Sequence, residues 1–240
     1  MSLHRAEDVQ QLPLRVRLPD FARLDGFLPG RNGEVFALLS SGWDRLPRAL
    51  CLWGRAGTGK SHLLQAACAD TGVRGGTAAY FDLATAPGAA VLEGCEAFEL
   101  VSLDNVDAVA ADTEWNAALF RLYTLLQDGR GRLLLASTAP PAGLPWALPD
   151  LRSRLLAGSV HQLHELDDAG QRQALQLRAA RRGLDLSDEA ALYLMHRLPR
   201  DPHFLFTLLD ELDQASLAAQ RRLTIPFLRE ALAARGNQVD

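Results

Sequence analysis

The chain has 240 residues, 48% of them hydrophobic and 22% charged, enough to bury the core of one globular unit built from one or two small domains. A net charge of −4 and a pI near 5.9 provide no broad cationic face for direct, sequence-specific binding of nucleic acid. The N-terminal stretch MSLHRAEDVQQLPLRV has no signal-peptide core and no apolar run is long enough for a bilayer, so no membrane role and a cytoplasmic location are expected.

Residues 1–20 alternate charge with proline and lack helical periodicity, as an extended arm would. Gly33 to Leu46 carries apolar residues at helical spacing and is stopped by Pro47. ALCLW (49–53) follows as a short apolar strand, and further strands are predicted over 77–83, 98–104, 132–138 and 159–163. Helices are predicted over 60–70 and 114–127. Short apolar strands alternating with amphipathic helices imply an α/β unit with a parallel sheet covered on both faces. Cys51, Cys68 and Cys95 are far apart, without C-x-x-C spacing, and read as reduced core thiols.

After Leu166 the strand signal stops. Segments 167–183, 187–198, 201–221 and 224–234 read as four successive helices, with entry signals at Asp167, Ser187 and Asp201–Pro202 and an exit at Gly183. The expected organisation is an arm over 1–20, an α/β domain over 21–164 and a small all-helical domain over 165–240.

The nucleotide assignment comes from Gly54-Arg55-Ala56-Gly57-Thr58-Gly59-Lys60-Ser61, which fits G-x-x-x-x-G-K-[ST] between a predicted strand and a predicted helix. Glycines let successive backbone N–H groups converge on phosphate oxygens, and the helix adds its positive end. Lys60 would reach the β- and γ-phosphates and the Ser61 hydroxyl would ligate Mg²⁺. Lys60 is also the only lysine in the chain; the other 24 basic residues are arginine. A compact ammonium fits inside a loop wrapped around phosphates where a guanidinium fork does not. Asp104 ends the strand LVSLD and can hold the Mg²⁺ shell through water, although an acid there can equally cap a turn. Asn105 follows it and cannot act as a base, while Asp107 lies two residues further on without an evident direction.

The order of phosphate loop, strand-end Asp, polar residue closing the next strand, Ser153-Arg154 and a helical lid resembles the AAA+ ATPases. Within them the chain is similar to the Hda-type regulators of the DnaA-related family over nearly its whole length. The stretches that carry this are Leu52-Trp53-Gly54-Arg55, Ser61-His62-Leu63-Leu64-Gln65-Ala66-Ala67-Cys68, Asp104-Asn105-Val106, Leu148 to Leu155, Ala174 to Ala179 and Ala219 to Phe227.

The resemblance implies an AAA+ P-loop domain with a helical lid, binding ADP (or ATP) and Mg²⁺ through residues 54–61 and His62. It places Phe27-Leu28-Pro29-Gly30 at the base pocket, where Phe27 and Leu28 could equally be plain core. AAA+ ATPases usually carry a Glu at position 105 to polarise the attacking water, so Asn105 implies slow intrinsic hydrolysis. Thr138 stands where the family has an Asp as first sensor, and His203 where it has the second-sensor arginine; a capping or packing role for His203 is equally open. Arg154 matches the arginine finger that acts on a neighbouring subunit's nucleotide. Read from the residues alone, it is a surface arginine beside Asp150. The arm residues Gln11, Leu12, Leu14 and Val16 match the peptide that docks on the DNA polymerase sliding clamp. The expected function is clamp-dependent promotion of hydrolysis of DnaA-bound ATP, inactivating the initiator and inhibiting DNA replication initiation. The chain stops where DnaA continues into its DNA-binding domain, which also fits the regulator. An adaptor or helicase loader without effect on the nucleotide of DnaA is the alternative, and self-association stays open.

Overall fold

The computed structural model describes residues 23–198, 208–209, 211–212 and 223–236. The N-terminal arm with Gln11, Leu12, Leu14 and Val16, and His203, lie outside the described residues.

All five predicted strands form, as β1 (Ala49–Trp53), β2 (Ala78–Asp82), β3 (Leu100–Asp104), β4 (Arg132–Ser137) and β5 (Ser159–Gln162). They make one sheet in the order β2-β3-β4-β1-β5, with every pairing parallel. Alternate side chains of the strands sort to opposite faces. Leu133, Leu135, Ala49 and Cys51 join one apolar cluster, while Leu134, Ala136, Leu50 and Leu52 join another. Helices α1 (Gly33–Ser40) and α2 (Lys60–Val73) cover the second face through Val35, Leu39, Leu63 and Leu64. Helices α3 (Thr113–Asp128) and α4 (Pro149–Ala157) cover the first through Leu119, Leu122, Leu151 and Leu155. Burial on both faces is why the strands read as continuous apolar runs.

The three cysteines are free and buried, and burial pushes the Cys51 and Cys68 thiols up to about 12 and Cys95 to about 11. They are inert core residues.

Two local differences from the expected elements have physical causes. The helix expected over 33–46 ends at Ser40, because Gly42 turns the chain at φ +104°, and Trp43–Arg45 form a separate 3₁₀ turn. Helix α4 was not anticipated as an element. It starts with Pro149 in its first turn and buries only Leu151 and Leu155, too short an apolar stripe to stand out.

Beyond β5, α5 (Asp168–Ala180), α6 (Asp188–Arg197) and α7 (Ile225–Gly236) build a separate apolar cluster around Leu175, Ala179, Leu194, Phe227 and Leu228. Asp167 caps α5 by accepting from the Gly170 N–H at 2.7 Å, and Ser187 caps α6 by accepting from the Ala190 N–H at 3.2 Å.

Candidate nucleotide site

In a parallel sheet every strand ends on the same edge, and loops from adjacent strands form one crevice there. The order β3-β4-β1 therefore sets Asp104, Thr138 and the glycine-rich loop side by side. The loop is tied to the sheet where the Gly54 N–H donates to the Ser137 carbonyl at 3.2 Å. A Cβ on Gly54 would sit 2.5 Å from the Leu163 carbonyl oxygen. One on Gly59, whose φ is +91°, would sit 2.7 Å from Cε2 of Phe27. Only glycine fits either position.

Helix α2 starts at Lys60, so its first N–H groups face the loop. Lys60 is buried, and its Nζ donates to the carbonyls of Gly54 at 2.6 Å and Arg55 at 2.8 Å. Desolvation lowers its pKa, while the charges of Asp104 and Asp107 raise it. Thr58 Oγ1 bonds to the Arg55 carbonyl at 2.9 Å and stiffens the turn. Ala56 at the tip and Ser61 in the first helical turn are exposed, as is Arg55, whose guanidinium approaches Glu165 at 4.0 Å. A glycine-lined turn, a helix N-terminus, an ammonium and a hydroxyl on the same edge as a buried carboxylate form a donor set for a Mg²⁺–nucleotide phosphate chain.

Asp104 is 1% exposed. Its Oδ2 accepts from the Tyr80 hydroxyl at 2.9 Å and its Oδ1 from the Asn105 N–H at 2.9 Å. Burial and the neighbouring Asp104 push the Tyr80 phenol up, which keeps it a donor. Asn105 takes a left-handed conformation, φ 53°, and its Nδ2 donates to Asp82 Oδ1 at 2.7 Å. Its side chain is thus committed to the end of β2. Asp107, whose direction no local pattern indicates, is brought back by the 3₁₀ turn Val106–Val109. Thr138 Oγ1 donates to Asp107 Oδ2 at 2.6 Å, and the Thr138 N–H to Oδ1 at 3.4 Å.

On the base side, Phe27 stacks between Phe36 and His62, both with ring centroids 6.0 Å away. The segment that holds Phe27 and the half-buried Leu28 is clipped to the end of β5 by Asn32, which exchanges two hydrogen bonds with His164 at 2.8 and 2.9 Å. His62 Nε2 lies 3.0 Å from the Arg23 carbonyl. Burial, reinforced by Arg178 and Arg181, lowers its pKa. Arg181, just after α5, reaches Asp25 at 2.5 Å and holds that carboxyl below its usual range, linking the helical segment to the 3₁₀ turn Leu24–Gly26 before Phe27.

Arg154 is exposed on the last turn of α4. Its guanidinium lies over the ring of Phe120 at 4.8 Å and near that of Tyr123 at 5.9 Å, both on α3, rather than on Asp150. Sequence reasoning missed Tyr80, Asn32 and the direction of Asp107. Each works through a partner on another element, which no local spacing announces.

No helix among the described residues is long and apolar enough to cross a membrane. Residues 168–232 match the family model for the lid domain of Hda. The fold is similar to domain III of the Thermotoga maritima replication initiation protein DnaA, with TM-score 0.72 and 18% identity, covering 90% of this chain and 98% of that one. It is also similar to AMPPCP-bound DnaA from Aquifex aeolicus, with TM-score 0.68 and 22% identity over 83% of this chain and 67% of that one. A third neighbour is the Thermotoga maritima RuvB Holliday junction branch migration motor, with TM-score 0.61 and 14% identity over 84% and 67%. The architecture is that of an AAA+ module, an α/β unit with a helical lid, as the motif order implied.

Proposed function

We propose that this chain is an Hda/DnaA-related AAA+ protein that regulates replication initiation by promoting hydrolysis of ATP bound to DnaA, while holding ADP and Mg²⁺ in its own site and docking on the DNA-loaded sliding clamp; the lid-domain match over residues 168–232 and the DnaA-like fold support this reading. The observation that carries this reading is an asymmetry. The phosphate loop is intact, the position after Asp104 holds Asn105 turned onto Asp82, and Arg154 is displayed on the surface of α4. A protein arranged in this way binds nucleotide, turns it over slowly, and can act on a neighbour's.

In the proximal site, Lys60, Ser61 and the N–H groups of 54–61 would hold the phosphates, with Ser61 and Asp104 on the Mg²⁺ side. Phe27, Leu28 and His62 would flank the base. A bound nucleotide would supply the anionic charge around which Lys60 and the start of α2 organise. Thr138 keeps its hydroxyl on Asp107, and His203 would stand at the second-sensor position. At the distal site Arg154 would act in trans. A planar, permanently charged guanidinium matches the equatorial oxygens of a transferring phosphoryl group and can contribute several powers of ten in rate. Gln11, Leu12, Leu14 and Val16 would dock the arm in the clamp groove and raise the local concentration near DnaA on DNA.

The test is to add the protein to ATP-loaded DnaA with clamp-loaded DNA and follow conversion to ADP. Acceleration supports the proposal; an unchanged rate rejects it. Retained binding of Gln11→Ala in a clamp pull-down would remove the arm from the account and favour an adaptor or helicase loader.

A further inference from the structure

Asp107 has no place in the function set out above, yet it lies in the crevice. Thr138, its partner, follows Ser137, whose carbonyl accepts from the Gly54 N–H at 3.2 Å, and the Gly54 carbonyl in turn holds Lys60 Nζ at 2.6 Å. A short chain of contacts thus runs from Asp107 to the ammonium that serves the terminal phosphates. Two N–H or O–H donors from Thr138 fix the Asp107 carboxylate without neutralising it. The negative charges of Asp104 and Asp107 both act on Lys60, one positive charge against two negative ones. Thr138, the residue after β4, carries no charge itself and orients an acid from the neighbouring loop.

A triphosphate seated on the loop would carry one more negative charge than a diphosphate at the sheet edge that Asp104 and Asp107 share with Lys60. Like charges a few ångströms apart in a partly desolvated crevice repel strongly enough to change affinity by an order of magnitude. We propose that Asp107, positioned by Thr138, sets the preference of this site for a nucleoside diphosphate over the triphosphate. The proposal rests on the reading of residues 54–61 as a phosphate loop.

The experiment measures ADP and ATP dissociation constants, both with Mg²⁺, by calorimetric titration of the full chain. Asp107→Asn keeps the acceptor for Thr138 and removes the charge. It should tighten ATP about tenfold and leave ADP within about twofold, the size expected for one unfavourable charge contact. Thr138→Val, which frees Asp107 to swing away, should shift the same ratio in the same direction by less, and serves alone if Asp107→Asn does not fold. An unchanged ADP-to-ATP ratio in the folded variants overturns the role of Asp107. Weaker ATP binding also overturns it, since Asp107 would then hold metal or water for the triphosphate. Undiminished ADP binding by Lys60→Ala overturns the phosphate-loop reading itself.

Discussion

Replacing Asn105 with Glu restores the acid that AAA+ ATPases carry after the strand-end Asp, and a sequence comparison would expect hydrolysis to follow. The structure leads to the opposite outcome. Asn105 sits at φ 53° and its amide donates to Asp82 Oδ1 at 2.7 Å. Asn tolerates the left-handed region, whereas most other L-residues lose about 1 kcal/mol or more there. Loss of a hydrogen bond to a carboxylate removes a further ~1.5–3 kcal/mol in a half-buried setting, and a Glu carboxylate pointed at Asp82 adds repulsion instead. Asn105→Glu should therefore destabilise the protein by about 3 kcal/mol, which lowers Tm by roughly 6–12 °C for a chain of this size. Phosphate release should stay at the wild-type level, because the new acid is built facing β2. Asn105→Gly, which keeps the backbone and loses only the amide, should be milder. The assay pairs thermal unfolding with phosphate release by the isolated protein. A fast ATPase with an unchanged Tm for Asn105→Glu would refute the reasoning.

Gly59→Ala places a Cβ at φ +91° and 2.7 Å from Phe27, so ADP affinity should fall at least about tenfold. Adding Phe27→Ala should recover part of the Tm but not the affinity, as titration and melting would show. Asp25→Asn should cost at most about 1 kcal/mol at neutral pH, since the Arg181 pair is largely exposed. The Arg181 hydrogen bond lowers the Asp25 pKa from 3.8, so the pair's contribution is present above that value and disappears as pH falls through the folded one. The Tm difference between wild type and Asp25→Asn should accordingly vanish in acid. Phe120→Leu removes the main ring beneath Arg154, a contact worth about 0.5–1 kcal/mol, and should raise stimulation of DnaA by up to about fivefold if the finger must leave that ring to work. Reduced stimulation would mean that the ring positions the guanidinium instead.

The strands were legible because each is a short apolar run closed by turn residues, and burial on both faces leaves no other reading for LVSLD or RLLLAS. The phosphate loop was legible because its residues are contiguous. Helix α4 was not, since two buried leucines do not make a periodic signal. The pairs that shape the phosphate end were beyond any local pattern. Asn105 and Asp82 are 23 residues apart, and Thr138 and Asp107 are 31 apart. They meet because the strand order puts β2, β3 and β4 side by side, a fact of topology rather than spacing. The sequence could say that Asn105 is no base; only the fold says where its side chain is held and which acid lies nearest the sensor position. Arg154 likewise resembled a finger in sequence, but its seat on Phe120 depends on the packing of α4 against α3.

The most direct test of the account is single-turnover hydrolysis of labelled ATP on DnaA, with clamp-loaded DNA and either wild-type protein or Arg154→Ala matched for ADP and clamp binding. Wild type should accelerate the reaction and Arg154→Ala should leave DnaA at its own rate. Equal acceleration by the two proteins would contradict the assignment of the finger, and with it the claim that this chain acts on its neighbour's nucleotide.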